Sequence, residues 1–173
     1  LNRAEEEGEE GLRKLGDDGY IARARKVRVS MNGKLIEREL GVWMLRSPDG
    51  GKTWEDKRWV GPGAGSPHGP VELADGNLLF VGNWHDTPTA AASADPINTL
   101  GARVSRDDGR TWSLSGTIPE RPGDVPGRYH EPHAVQLPDG RIIVHIRNHN
   151  DMDRGYILQS ESTDGGLTFS TPQ

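Results

Sequence analysis

The chain has no cysteine, and its 173 residues include only two phenylalanines and three tyrosines. Without cysteine there is no disulfide framework and no thiolate chemistry, so neither a stapled mini-domain nor a cysteine nucleophile is available. No apolar run approaches the 20 or so residues that a membrane-spanning helix needs, and no leader peptide is visible. Basic residues are in deficit, 21 Lys and Arg against 26 Asp and Glu, for a net charge of −5. Broad binding to nucleic acid or to an anionic membrane requires a basic face and is not expected. Helical periodicity is scarce too. Only Arg3 to Leu15 is helix-like, and Gly8 and Gly11 interrupt it. Its glutamates read as a solvated acidic segment over residues 1–19.

What the chain has in quantity is turn formers, with 23 glycines and 12 prolines. Many of them fall in a pattern that occurs three times. Ser47, Asp49, Gly51, Thr53 and Trp54 are followed by Ser105, Asp107, Gly109, Thr111 and Trp112, then by Ser162, Asp164, Gly166, Thr168 and Phe169. The aspartates are 58 and 57 residues apart. A fixed period of this order marks repeated supersecondary units. In each copy the Asp can hydrogen-bond backbone two residues on, the Gly supplies a positive φ, and the Thr restarts an extended strand. The box therefore folds a hairpin, and its closing aromatic is large enough to plug the turn into the layer beneath.

Between the boxes lies a second repeat. Val71 to Val81 and Val135 to Ile146 are each two apolar runs joined by Asp-Gly, at Asp75-Gly76 and Asp139-Gly140. Asp-Gly between such runs is a hairpin signal. Ile21, Val27, Val29 and Met31 alternate toward Asn32-Gly33 in a weaker version of the same arrangement. Two hairpins per unit give about four strands, and four-stranded units in series are the blades of a β-propeller. The fold class expected is all-β, with about three blades over residues 20–173. Propellers close with four to eight blades, so the chain reads as a fragment, marginally stable alone and exposing blade faces at its two ends.

The box is the Asp-box, or bacterial neuraminidase repeat, and the chain resembles the sialidase superfamily, whose propeller has six blades. A second match is more specific. His130-Glu131-Pro132-His133-Ala134-Val135-Gln136-Leu137-Pro138-Asp139-Gly140-Arg141, followed by Ile146-Arg147-Asn148, resembles the sialidase segment in which a Glu precedes one strand and an Arg ends the next. The resemblance implies that Glu131 is the carboxylate paired with a nucleophilic tyrosine, and that Arg147 is one of three arginines holding the substrate's carboxylate. It also implies an exo-α-sialidase-like retaining glycoside hydrolase, acting on sialylated or other acidic glycans in an extracellular or periplasmic setting, with no cofactor. The chemistry suits the residue types. A phenol of ordinary pKa about 10 needs a base before it can attack near neutral pH, and an arginine fork matches a sugar carboxylate.

His68 stands where its blade's first strand begins, as Glu131 does in the next blade, and is a further candidate sugar contact. Trp84-His85-Asp86 could offer a stacking face, although a packed tryptophan is the simpler reading. His130, His133, His145 and His149 invite a metal, but Pro132 forbids the helix of a His-Glu-x-x-His site, and Asp151-Met152-Asp153 meets Ser162 where a calcium loop needs its bidentate Glu. No metal is expected. The resembling family also uses an Arg-Ile-Pro segment, a general-acid Asp and a tyrosine nucleophile. Arg-Ile-Pro is absent from this sequence, and Tyr20, Tyr129 and Tyr156 do not fall at the nucleophile's place, so the chain alone is expected to be inactive. Two other readings stay open: an Asp-box propeller that binds glycans or protein partners without cleaving anything, or a sialidase-fold glycosidase of other sugar specificity.

Overall fold

In the computed structural model, described for residues 41–85, 99–125, 127–150 and 156–173, every regular element is a β-strand. The expected acidic segment 1–19 and the alternation around Asn32-Gly33 lie outside the described residues. Ten strands form three antiparallel sheets. The first pairs β1 (Val42–Met44) with β2 (Arg58–Gly61). The second has the order β3 (Gly63–Gly65), β5 (Leu78–Trp84), β6 (Leu100–Ser105), β7 (Ser113–Thr117), with β4 (Val71–Glu72) also paired to β5. The third has the order β8 (Tyr129–Gln136), β9 (Ile142–Asn148), β10 (Ile157–Ser162). Backbone bonds from Gln173 N to Gln159 O and from Ser170 N to Glu161 O lay a fourth extended segment beside β10. These sheets are propeller blades, each with an Asp-box between its last two strands, and the chain is a partial propeller.

The boxes carry their own hydrogen bonds, which is why they fold the same way three times. In the second, Ser105 Oγ donates to Asp107 Oδ1 at 2.8 Å and accepts from Gly109 N at 2.8 Å. Thr111 N donates to Oδ1 of the same aspartate and its hydroxyl to Oδ2, at 2.8 and 2.6 Å. Asp49 and Asp164 repeat this network with Thr53 and Thr168. The chain crosses two consecutive positive-φ positions in each box, Gly50-Gly51, Asp108-Gly109 and Gly165-Gly166.

Donation to the ionised carboxylate, first from the threonine hydroxyl and next from its backbone N–H, holds Asp49, Asp107 and Asp164 at about 2, below the usual 3.8. A carboxylate depressed in the folded state adds stability that is complete above its unfolded pKa and is lost as pH falls through the folded one. Thermal stability is therefore expected to drop between pH 4 and pH 2, and Asp→Asn changes at 49, 107 and 164 should flatten that drop. Melting curves across this interval check it; an unchanged slope in the triple variant would count against the assignment.

The second and third boxes also dock on the preceding blade. A Cβ on Gly109 would lie 2.2 Å from Met44 Cε of the first sheet, and one on Gly166 would lie 2.8 Å from Leu79 Cδ1 of the second. Ser115 Oγ donates to Gly166 O at 2.8 Å, linking β7 to the third box. Trp112 stacks edge-on against Phe80 and Phe169 packs on the core beneath its turn, as expected. Trp54 differs. Its ring is 62% exposed.

Burial follows the sheet positions. Alternate residues of β5 serve two cores: Leu79 and Val81 face the third blade with Ile142, Val144, Ile146 and Leu158, while Phe80 and Trp84 join Val60. A strand buried on both faces belongs to a sheet packed on both sides. In the third sheet one face is buried and the other is open among the described residues, with Val135 48% and Ile157 65% exposed.

Candidate functional site

Antiparallel order sends the boxes and the two Asp-Gly hairpins to one end of the blades. Both hairpins close with the same turn, in which the N–H of Leu73 or Leu137 reaches the carbonyl four residues on and Gly76 or Gly140 takes positive φ. The opposite end collects the start of each blade's inner strand and the end of its second strand. Glu131, near the start of β8, and Arg147, near the end of β9, therefore share that end through register, with His130 opposite Arg147.

The two side chains meet. Arg147 Nη1 donates to both oxygens of Glu131, at 3.0 Å each, and the pair is about half exposed. Among the described residues only Nη1 of Arg147 is hydrogen-bonded, which leaves Nη2 and Nε of the fork open to an incoming acid. Glu131 sits in the left-handed region, φ +45°, where the ladder between His130 and His133 is broken by a bulge. A non-glycine residue there is uncommon, and bulges re-aim side chains. The following Pro132 is fully buried and cannot donate to a ladder, which anchors the break.

The second blade interrupts its inner strand at the same level. Between β3 and β4 the chain runs through Ser66-Pro67-His68-Gly69-Pro70, two of whose residues lack an N–H. His68 is exposed there, and its ring meets that of His133 edge-on, 5.1 Å between centroids, so it stands two positions along the strand from Glu131. On the other side His130 lies 4.3 Å from His149, tilted by 34°. Burial, and then the charge of His149 and Arg147, hold His130 below the ordinary imidazole pKa, so it stays neutral near pH 7. His145 instead faces Gln159 Oε1 at 3.2 Å. The four histidines of the third blade thus spend themselves in three separate contacts. Asp151 and Asp153 lie outside the described residues.

Tyr129 is buried, donates its hydroxyl to Asp124 at 2.6 Å and accepts from Arg121 N. Burial and that bond to a carboxylate raise its pKa, which disfavours a phenolate. Arg121 also grips Asp124 through two nitrogens and reaches Tyr156 Oη at 3.4 Å. Both described tyrosines therefore brace the loop leading into β8. Trp84 is fully buried against Phe80 and offers no stacking face. A cavity of about 560 Å³ lies along β10 and the third box between Gln159, Phe169 and Gln173, and Glu131 is not among the residues that line it.

A family profile described as a BNR repeat-like domain matches residues 23–173. The chain belongs to that family. No curated protein matches it significantly. Among solved structures, the BNR repeat-like chain is similar to a Dyadobacter fermentans protein of unknown function, with TM-score 0.55 and 25% identity over 78% of this chain and 38% of that one. It is similar also to the NanB sialidase from Streptococcus pneumoniae, with TM-score 0.54 and 25% identity over 76% of this chain and 18% of that one. The chain thus spans under two fifths of the first of these and under a fifth of the second. Its blades are those of the sialidase propeller.

Proposed function

We propose that this chain is part of the catalytic propeller of a glycan-cleaving enzyme, an exo-α-sialidase-like retaining glycoside hydrolase releasing terminal sialic acid or a related acid sugar. The observation that carries the reading is the convergence of Glu131 and Arg147, from different strands of one blade, at the end away from the boxes. Arg147 gives its open N–H groups to the sugar carboxylate, a bidentate match of fork to acid. Glu131 takes the proton of a tyrosine hydroxyl, so that a neutral phenol rather than a third carboxylate approaches the anionic sugar. Tyr129 and Tyr156 are engaged around Arg121, so neither of the two described tyrosines is placed for that role. His68, beside His133 at the rim, contacts the sugar's hydroxyls.

The intact protein is expected to release the fluorophore from a fluorogenic α-sialoside and to leave the matching neutral arabinofuranoside untouched. Turnover of the neutral glycoside alone would replace the sialidase reading with a different glycosidase. Turnover of neither, with sialoside still bound, would make the propeller a lectin.

A further inference from the structure

Glu131 occupies a backbone conformation that its own sequence does not favour. A residue before proline is pushed toward extended conformations, yet Glu131 has φ +45°. Such conformations persist only where the surroundings over-determine them. The ion pair to Arg147 is too exposed to supply that restraint, at 54% and 45% side-chain exposure. The register between His130 and His133 shifts at a bulge that spans Glu131 and Pro132.

A donor from the neighbouring blade reaches the carbonyl inside that bulge. Ser66 Oγ donates to Pro132 O at 2.6 Å, across 66 residues of sequence. The same hydroxyl oxygen accepts from His68 N at 3.4 Å, so one side chain ties the interrupted strand of the second blade to the bulged strand of the third. Pro132 is fully buried and directly follows Glu131, which makes its carbonyl the nearest fixed point to the carboxylate-bearing backbone. Farther along the inner strands Gln136 Oε1 accepts from Ala74 N at 2.7 Å, so the two blades are registered at a second level as well.

We propose that Ser66 is a positioning residue for Glu131: its hydroxyl pins the Pro132 carbonyl across the blade interface and so keeps the carboxylate aimed at Arg147 and at the reacting centre. The role assigned to Glu131 rests on the sialidase reading above; the pinning itself does not.

The test uses the intact protein with Ser66→Ala, Ser66→Thr and Ser66→Cys. On a fluorogenic sialoside, Ser66→Ala is expected to lose about tenfold in kcat with KM held within about twofold, and Ser66→Thr, which keeps the hydroxyl, to recover most of it. A second readout needs no turnover. The Arg147 side-chain ¹⁵N signals should show hindered guanidinium rotation in the native protein, faster averaging in Ser66→Ala, and the same averaging in Glu131→Ala, which removes the acceptor and serves as the reference for a released arginine.

Native kcat and native Arg147 signals in Ser66→Ala would overturn the proposal, as would a lowered melting temperature with neither of them moved. If the native protein hydrolyses no sialoside, the sialidase reading fails and the Arg147 signals alone decide whether Ser66 holds Glu131. If Ser66→Ala does not fold, the near-isosteric Ser66→Cys, a weak donor, is read by the same two measurements.

Discussion

Glu131→Gln in the intact protein should reduce kcat on a sialoside about a hundredfold or more while leaving the fold intact. Glutamine keeps the size of the side chain and can still accept a hydrogen bond from Arg147 Nη1, but it cannot take a proton from a phenol. The stability cost is small because the ion pair is half exposed, and pairs of that kind contribute about 0–1 kcal/mol. KM should hold or fall, since a neutral amide competes less with the sugar carboxylate for the arginine fork. That split separates a proton-accepting carboxylate from a merely structural one, whose loss would lower melting temperature and kcat together. Steady-state kinetics and a thermal melt on the same preparation decide it. A kcat within about threefold of the native value removes Glu131 from the reaction.

The features legible in sequence are those whose hydrogen bonds close within a few residues. Each box is complete in itself: Ser47, Asp49 and Thr53 bond one another within four positions, and the other two copies repeat the network without help from the rest of the fold. Asp75 and Asp139 likewise brace their own turns by accepting from Asn77 N and Arg141 N. Blade count and strand order follow from those local units. The meeting of Glu131 with Arg147 was accessible because one hairpin joins their strands, so register alone brings them to the same end.

What stayed hidden depends on contacts between blades. Nothing in His130-Glu131-Pro132-His133 signals that Glu131 turns to positive φ, since Pro132 argues for the opposite; the bulge is settled by a serine 66 positions earlier than the carbonyl it holds. The split of the second blade's inner strand into β3 and β4 was similarly invisible as a matched counterpart to that bulge. Trp54 shows the same dependence from the other side. Its box is intact, yet its ring is exposed, so the eight-residue motif does not by itself bury its aromatic.

Trp84 carries the largest expected loss of stability. It ends β5 at the same level as the candidate site, where an aromatic could equally serve a sugar, and the two roles predict opposite measurements. Its side chain is fully buried, its indole N–H donates to Gly101 O at 3.0 Å, Phe80 meets it edge-on at 5.3 Å, and the Arg103 guanidinium lies 5.0 Å from its ring. Truncating a buried tryptophan removes its transfer free energy and leaves a cavity, so Trp84→Ala should cost about 3–5 kcal/mol. Trp84→Phe retains most of the apolar area but loses the indole hydrogen bond and leaves a smaller void, for a loss of about 1–3 kcal/mol. Denaturant unfolding of the three proteins gives the order native, Phe, Ala. A sugar-stacking residue would instead leave stability near native and weaken glycan binding per folded molecule. That result would require the ring to leave the core it shares with Phe80 and Val60.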